Sequence, residues 1–213
     1  MSDFPTGFAD SPRPLTADVL GDREAEAVRN LSAKGFVVHV GLTPEFAGQI
    51  LTMAHEPSIH EYCPKDSGER FTDQAAAERW LAKERAVFLL LKQADGGDLN
   101  LVGYGWAGPG SSSHVPDGHT TFAVRVGQAG QGQGLATPFS WLIVAASAAQ
   151  YDARDFWLET WASNGAAVHI YHKMGFETVN EAPGHRPTAA GGTIADTRIY
   201  MDLPNQLLPQ AGS

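Results

Sequence analysis

The stretch Val126-Gly-Gln-Ala-Gly-Gln-Gly-Gln-Gly-Leu-Ala-Thr137 places a glycine-rich turn between a β-branched run and a long apolar run. Glycines let successive backbone amides turn inward, and the N-terminus of the helix that follows adds partial positive charge. Such a turn could hold a pyrophosphate without any lysine or arginine. Taken alone, however, the pattern is better explained as a structural turn between a strand and a helix.

A second segment, from Trp157 to Phe176, carries characteristic residues at set spacings. They are Asn164, Ala167, Tyr171 and Gly175-Phe176. Together with the glycine-rich turn, this segment resembles the GNAT superfamily of N-acetyltransferases. The first motif of that family reads Gln/Arg-x-x-Gly-x-Gly/Ala, and it is matched by Gln131, Gly134 and Ala136. Either motif could arise by chance, but the two together in this order rarely would.

The resemblance implies an α/β (α+β) fold, the GNAT fold. A central mixed, mostly antiparallel sheet is flanked by helices, and its fourth and fifth strands splay apart. The resemblance is strong from about Thr120 to Phe176, weaker back to Phe36, and absent at both ends. We therefore expect an N-terminal arm that could hold a short helix (1–35), an acetyltransferase domain (36–203) and a flexible C-terminal tail (204–213).

Length and composition restrict the class of protein. A chain of 213 residues that is 43% hydrophobic can form one sizeable core but falls short of two comfortable domains. The formal net charge of -9 disfavours nucleic acid as a partner and favours cationic partners such as amines, although a solvated acidic surface without functional meaning explains the same charge better. The single cysteine, Cys63, excludes an intrachain disulfide, and no apolar run resembles a signal peptide or a membrane span. We therefore expect a cytoplasmic protein that does not act at a membrane.

Apolar periodicity and turn residues predict the order of the elements. Strands are expected at Phe36–Val40, Val87–Lys92, Leu99–Trp106, Thr120–Val126, Phe156–Trp161 and Ile199–Leu203. Helices are expected from Thr16 to about Ala33, Thr43 to about His55, Thr72 to Lys83, Leu135 to about Gln150 and Asn164 to Met174. The residues up to Pro14 are interpreted as a mobile arm, and the segment from Glu181 to Asp196 as either a hairpin or a loop.

The resemblance implies acetyl-CoA as a co-substrate and divides its binding among three segments. The pyrophosphate would meet the backbone amides of Gln131, Gly132, Gln133, Gly134, Leu135, Ala136 and Thr137. The pantetheine arm would hydrogen-bond to a strand edge, as a peptide would, at Val124, Arg125 and Val126. The third segment would face the arm and its sulfur with Asn164, Ala167 and Tyr171.

Two other phosphate-binding patterns fit less well. A dinucleotide-binding fingerprint needs a third glycine where Leu135 stands, and this turn lies past mid-chain. A P-loop needs Gly-Lys-Ser/Thr, which does not follow the turn.

Tyr171 is the candidate catalytic acid. Helical spacing puts Ala167, Ile170, Tyr171 and Met174 on one face, and Asn164 can cap the helix. A tyrosine has an ordinary pKa of about 10, so it can donate a hydrogen bond to a departing thiolate, whose thiol has a pKa near about 8.5. The structural alternative is that Tyr171 is only a core aromatic and Asn164 only a cap.

Glu159 is the candidate general base. A neutral amine must attack the thioester, and a lysine-like amine with a pKa of about 10.4 is almost wholly protonated at pH 7. The run Leu158-Glu-x-x-Ala-Ser-Asn164 is similar to the branch that acetylates alanine at the N-termini of ribosomal proteins. In that branch the glutamate acts as a base through water. The alternative is an exposed strand glutamate or a structural hydrogen-bond acceptor.

Other candidate residues have weaker support. His169 and His172 have helical spacing but no third ligand, so no metal is expected. Cys63 is more consistent with a small inert residue than with an acyl carrier. His114 and His119 flank a loop that could line an acceptor site, although solvated histidines would look the same.

Position in the family assigns further residues to the acceptor pocket. The segment Ile59 to Pro64 and Phe71 would shape it, and Tyr104 and Trp106 could add an aromatic wall. We expect an acetyl-CoA-dependent N-acetyltransferase whose acceptor is a primary amine of a small molecule or peptide. The alternative is an inactive module that binds CoA as a sensor or structural ligand. The acceptor stays open, as does the question of a homodimer.

Overall fold

The computed structural model describes residues 4–8, 12–16, 20–94, 96–188 and 190–204. The strands are β1 (Arg13–Pro14), β2 (Phe36–Val40), β3 (Ala86–Gln93), β4 (Leu99–Pro109), β5 (Thr120–Val126), β6 (Phe156–Trp161), β7 (Glu177–Pro187) and β8 (Thr193–Leu203). The helices are α1 (Asp22–Ala33), α2 (Pro44–Ala54), α3 (Pro57–Tyr62), α4 (Gln74–Leu81), α5 (Ala136–Tyr151) and α6 (Gly165–Met174). A π-helical turn spans Asp66–Arg70, and a 3₁₀ turn spans Gln128–Gly130.

The strands form one sheet in the order β1-β2-β3-β4-β5-β6-β8-β7. Neighbours run antiparallel except β5 and β6, which are parallel. These two strands pair only where Thr120 meets Phe156 and Thr121 meets Trp157. Beyond that point they separate, and a cleft opens between them. The prediction of a mixed, mostly antiparallel sheet flanked by helices is confirmed, and β1 makes the splayed pair the fifth and sixth strands.

Both faces of the sheet are covered by helices. Along β3, six consecutive residues are buried, and alternate side chains enter different cores because successive residues of a strand point to opposite faces. Phe88 and Leu90 join a core that includes α5, whereas Leu89 and Leu91 join one that includes α2 and α4. Helix α5 has ten successive buried residues from Phe139 to Ala148, which agrees with its almost wholly apolar sequence.

The N-terminal segment differs from the predicted mobile arm. Within its described residues, Phe4 and Leu15 are buried in the main core, and β1 pairs with β2. The ring of Phe4 packs against Tyr151 with centroids 5.4 Å apart. Two large apolar side chains thus anchor a stretch whose average composition is polar. The predicted helix is also shorter, because α1 begins after Gly21 and not at Thr16.

The C-terminal part resolves an alternative left open by the sequence. The segment from Glu181 to Asp196 is a hairpin, formed by two strands of 11 residues, β7 and β8. Strand β8 therefore begins six residues before the predicted Ile199. The predicted tail from residue 205 onward lies outside the described residues. Among the described helices, none has the length and apolar character needed to cross a membrane.

Candidate active site

The cleft between β5 and β6 has two halves of similar size. The loop half, of about 630 Å³, is bordered by the glycine-rich turn and α6. The aromatic half, of about 610 Å³, is bordered by Trp80, Trp106, Trp157 and Tyr200. The residues that line both halves are Tyr62, Cys63, Val124, Arg125, Asn164, Ala167 and Tyr171. This shared junction lies where the two strands diverge, so a ligand in each half could meet there.

The glycine-rich turn has the geometry of an anion site. Gly132 and Gly134 have φ values of 73° and 70°, and a methyl group at either position would meet open space. Helix α5 begins at Ala136 without a side-chain cap, so its first amides are left for a ligand or solvent. The turn can therefore present unpaired N–H groups to a pyrophosphate.

The predicted residues of this turn fall in two groups. Those that line the loop half are Gln131, Gly132, Gly134, Leu135, Ala136 and Thr137. Gln133 instead stabilises the turn, because its Nε2 donates to the carbonyl of Ala129 at 2.7 Å. The carbonyl of Gln133 accepts from Nζ of Lys34 at 3.5 Å, so a cation that the sequence analysis did not consider lies beside the turn.

The exposed edge of β5 is the part predicted to hold an extended arm. Val124 and Arg125 line both halves, whereas Val126 lines only the loop half. The carbonyl of Val124 accepts from Nη1 of Arg125 at 2.9 Å, and that of Val126 accepts from Nε2 of Gln131 at 3.1 Å. Side chains therefore hold these carbonyls in place. The N–H of Gly127 bonds to the carbonyl of Val102 on β4, so alternation along β5 directs the N–H groups of Val124 and Val126 away from β4, toward the cleft.

Asn164 forms the predicted helix cap, and its predicted contact with the CoA arm stays a prediction. Its Oδ1 accepts from the backbone N–H of Ala167 at 3.3 Å and caps α6, and both residues also line the junction. A cap at this position fixes the first turn of α6 against the cleft.

Tyr171 likewise belongs both to the core and to the junction. Only 7% of the residue is exposed, and its ring packs edge-on against Phe122 and Phe176. Burial raises the pKa of Tyr171 to about 12, although the charge of Arg125 acts in the opposite direction. Its hydroxyl has no hydrogen-bond partner within the described part of the chain. Tyr171 is therefore a protonated donor that is free to bind a ligand.

Glu159 lies on β6 and lines only the aromatic half. Its side chain is 28% exposed and lies between two cations. Nζ of Lys65 is 3.6 Å from Oε1, and Nη1 of Arg198 is 3.8 Å from the same oxygen. Glu159 is thus open to the aromatic half of the cleft and lies within ion-pair distance of two cations, and its role as a base stays a prediction.

A buried carboxylate that the sequence analysis missed lies beneath the junction. Asp66 has no exposed surface and accepts hydrogen bonds from Nη1 of Arg70 at 2.7 Å, Nε of Arg125 at 2.8 Å and the hydroxyl of Tyr104 at 3.0 Å. Burial alone would raise the pKa of Asp66, but the two guanidinium groups outweigh it and hold the pKa below 3.8. The i,i+4 spacing of Asp66 and Arg70 was the only signal in the sequence.

The remaining aromatic candidates separate into lining and core residues. Trp106 lines the aromatic half as predicted, whereas Tyr104 is fully buried and contributes only its bond to Asp66. Phe71 also lies in the core, edge-on to Trp80 with centroids 5.3 Å apart. Within the segment Ile59 to Pro64, Ile59 borders the loop half and Pro64 the aromatic half.

The cysteine and histidine candidates differ in whether they border the cleft. Cys63 lines the junction, but burial raises its pKa to about 11, so its thiol stays protonated near neutral pH. His114 borders the aromatic half and stacks on Tyr200 with centroids 4.2 Å apart, whereas His119 lies 3.5 Å from Asp202. Nδ1 of His172 lies 3.1 Å from the carbonyl of Phe176. Among the described residues, no three His, Cys, Asp or Glu side chains are grouped to hold a metal ion.

Comparisons with known proteins agree with this geometry. Residues 50–176 match the family described as the acetyltransferase (GNAT) family. No curated protein matches the chain. A solved spermidine N-acetyltransferase from Vibrio cholerae, in complex with CoA and spermine, is similar with a TM-score of 0.62 and 18% identity, over 82% of this chain and 99% of that one.

Two other similar structures are ribosomal-protein acetyltransferases. The ribosomal-protein-S5-alanine acetyltransferase from Vibrio fischeri has a TM-score of 0.62 and 12% identity, over 83% of this chain and 96% of that one. The ribosomal-protein-alanine N-acetyltransferase from Brucella melitensis has a TM-score of 0.59 and 16% identity, over 76% of this chain and 97% of that one. At such low sequence identities, the similarity shows a shared fold and does not show a shared substrate.

Proposed function

This chain belongs to the GNAT acetyltransferase family, and from that premise we propose that it is an acetyl-CoA-dependent N-acetyltransferase acting on a primary amine. One observation carries the proposal. The loop half and the aromatic half of the cleft meet at a junction that contains Tyr171. A thioester carrier and an amine acceptor could enter from opposite sides and react there.

The loop half supplies the means to bind the carrier. Amides of the turn and the uncapped start of α5 suit a pyrophosphate, and the open space at Gly132 and Gly134 allows close approach. The edge of β5 offers backbone N–H groups to an extended arm. Held in this way, the acyl group lies at the junction, and proximity supplies much of the rate acceleration.

Tyr171 donates a hydrogen bond to the sulfur as the C–S bond breaks. Because the pKa of Tyr171 is about 12 and a thiol has a pKa near about 8.5, full proton transfer would be uphill by on the order of 5 kcal/mol. The hydroxyl therefore stabilises the developing thiolate and keeps its own proton. Protonation of the thiolate can follow from solvent.

Glu159 accepts a proton from the attacking amine, directly or through water. The amine nitrogen forms the new C–N bond at the carbonyl carbon, the C–S bond breaks, and CoA leaves as the thiol. No acyl group is carried by the protein. The protonated thiol of Cys63 supports this direct route, because the thiolate is the nucleophilic form.

Two measurements test the proposal. Calorimetry should show binding of acetyl-CoA, and a thiol-release assay with a broad panel of primary amines should show turnover. A protein that binds acetyl-CoA but releases thiol with no amine would instead be a CoA-binding module. Absence of both binding and turnover would overturn the proposal.

A further inference from the structure

The aromatic half carries a charge opposite to that of the chain as a whole. Its cationic lining residues are Lys65, Arg70, Arg85, Arg125 and Arg198. Two carboxylates, Asp66 and Glu159, line it as well, which leaves a surplus of three positive charges in a protein of formal net charge -9. Asp66 has no exposed surface, so an acceptor meets mainly the cations. The charge of the whole chain is therefore a poor guide to the acceptor.

The surplus is concentrated in an arginine–tryptophan cluster, formed by Arg70, Arg85, Trp80 and Trp106. The two indole rings lie 4.7 Å apart at 73°. The guanidinium of Arg70 lies 5.3 Å from the ring of Trp80 and 5.4 Å from that of Trp106. The guanidinium of Arg85 stacks on Trp80 at 3.7 Å. Flat aromatic faces thus hold two like charges close together.

Arg85 is the cation in this cluster that lacks a counter-ion. Asp66 pairs with Arg70, but no carboxylate within the described ranges pairs with Arg85, and its buried Nε has no hydrogen-bond acceptor there. Burial and the charge of Arg70 lower the pKa of Arg85 to about 10. The side chain still carries its charge near neutral pH. A half-buried guanidinium with one unbonded nitrogen and no counter-ion is well placed to bind an anionic group of a ligand.

The backbone is shaped to hold Arg85 in this place. A methyl group at Gly108 on β4 would lie 2.8 Å from Cβ of Arg85 and 2.9 Å from the carbonyl of Glu84. The absence of a side chain at Gly108 therefore lets the stem of Arg85 pass close to the strand. Both Arg70 and Arg85 border the aromatic half but not the loop half, so they lie outside the junction.

We propose that the acceptor is an amine that also bears a carboxylate, and that this carboxylate binds to Arg85 and Arg70. Guanidinium groups bind carboxylates with paired hydrogen bonds, which fixes orientation as well as affinity. An acceptor anchored at the cluster can extend its amine toward the junction, past the aromatic walls. An acceptor with a second cationic group would instead add like charge. This inference rests on the proposed function and names the substrate class of the same cleft.

The test compares amino acids in which the carboxylate and the amine are increasingly far apart, from α-amino acids to ω-amino acids, with their own carboxamides. Their binding is measured by calorimetry with and without CoA, so the result does not depend on turnover. We expect the acids to bind about ten- to a hundredfold more tightly than the amides. Amidation removes the carboxylate charge and lowers the pKa of the amine, so a larger fraction of the amide is neutral at a given pH. A faster release of thiol with the acid than with its amide therefore cannot come from a larger fraction of neutral amine.

Variants assign the preference to the cluster. Arg85→Met keeps the length of the stem and should bring acid affinity close to amide affinity, and Arg85→Lys should give an intermediate loss. Arg79→Met, on the exposed side of α4, is the matched control and should change neither the affinity for the acid nor that for the amide. Affinity for acetyl-CoA should stay the same in all three variants.

A failure to bind or use acetyl-CoA would overturn the proposed function without touching the acid–amide comparison. The substrate-class inference is overturned if no acid binds more tightly than its amide, or if Arg85→Met leaves acid binding intact.

Discussion

Nε of Arg125 on β5 donates to Oδ2 of Asp66 over 2.8 Å, although 59 residues separate the two in sequence. This bond ties the strand that borders the cleft to the π-helical turn. It also places Nη1 of Arg125, which holds the carbonyl of Val124 at 2.9 Å. Asp66 therefore acts through Arg125 on the strand edge where the pantetheine arm is proposed to bind. We regard Asp66 as a positioning residue.

Replacing Asp66 with asparagine should destabilise the protein by about 3 kcal/mol, because Arg70 and Arg125 would lose the charge that balances them in a buried site. Urea denaturation followed by tryptophan fluorescence measures the loss. Asp117→Asn is the control, since Asp117 is exposed and should change stability by less than about 0.5 kcal/mol. Equal unfolding curves for the two variants would contradict the structural role of Asp66.

The same pair predicts how stability depends on pH. The pKa of Asp66 in the folded protein lies below its ordinary value of 3.8. The unfolded state therefore binds the proton more readily, and stability falls as pH decreases. The contribution of Asp66 should be complete above the unfolded pKa and lost as pH falls through the lower folded value. The difference in unfolding free energy between the wild type and Asp66→Asn, measured from about pH 6 to about pH 3, should become smaller toward the acid end. A constant difference across that range would contradict this linkage.

The glycine-rich turn can be tested with two matched glycines. Gly134 and Gly35 have φ values of 70° and 78°, and neither has a neighbour that a methyl group would meet. Gly134→Ala and Gly35→Ala should each cost about 1 kcal/mol of stability, because alanine disfavours left-handed backbone. Only Gly134→Ala should also weaken acetyl-CoA binding, by about tenfold, as the amides of the turn shift. Similar acetyl-CoA affinities in both variants would place the pyrophosphate elsewhere.

Tyr171→Phe should lower kcat by about a hundredfold while the Kd for acetyl-CoA is unchanged. The hydroxyl makes no hydrogen bond to the described residues, so its removal should cost little stability. Because the pKa of Tyr171 is about 12, its ionisation should produce no fall in kcat below about pH 10. Tyr151→Phe, at the end of α5 and outside the cleft, is the control. Full turnover in Tyr171→Phe would leave Tyr171 as a core aromatic only.

The sequence predicts the cleft better than it predicts what lies beneath it. Strands β5 and β6 have the predicted bounds, because each is a short β-rich run closed by turn residues. The cap at Asn164 follows from local chemistry in the same way. The role of Asp66 could not be predicted, since Arg125 and Tyr104 are 59 and 38 residues away. Only the folded sheet brings them together.

The described part of the N-terminal segment differs from the predicted mobile arm for a related reason. Its average composition is polar, but whether such a segment is ordered depends on whether individual apolar side chains are buried in a core. The ring of Phe4 packs against Tyr151, which is far away in sequence, and Leu15 is buried in the same core. The positive lining of the aromatic half is likewise a tertiary property. Its arginines lie in the π-helical turn, in the loop before β3, on β5 and on β8, and the net charge of -9 gives no sign of them.

Glu159→Gln distinguishes a base from an ion-pair partner. If Glu159 removes the proton from the amine, kcat/KM for the acceptor should fall by about a hundredfold near neutral pH. The deficit should shrink as pH rises, because the amine then loses its proton to solvent. Stability should change by less than about 1 kcal/mol, since the contacts with Lys65 and Arg198 are long and the carboxylate is 28% exposed.

A pH profile of kcat/KM for Glu159→Gln supplies the measurement, and Glu177→Gln on the exposed face of β7 is the matched control. Loss of acceptor binding without the recovery at high pH would mean that Glu159 instead orients Lys65 and Arg198. Because those cations border the aromatic half, KM for the acceptor would then change more than kcat. Comparing the change in KM with the change in kcat therefore decides whether Glu159 removes a proton or orients Lys65 and Arg198.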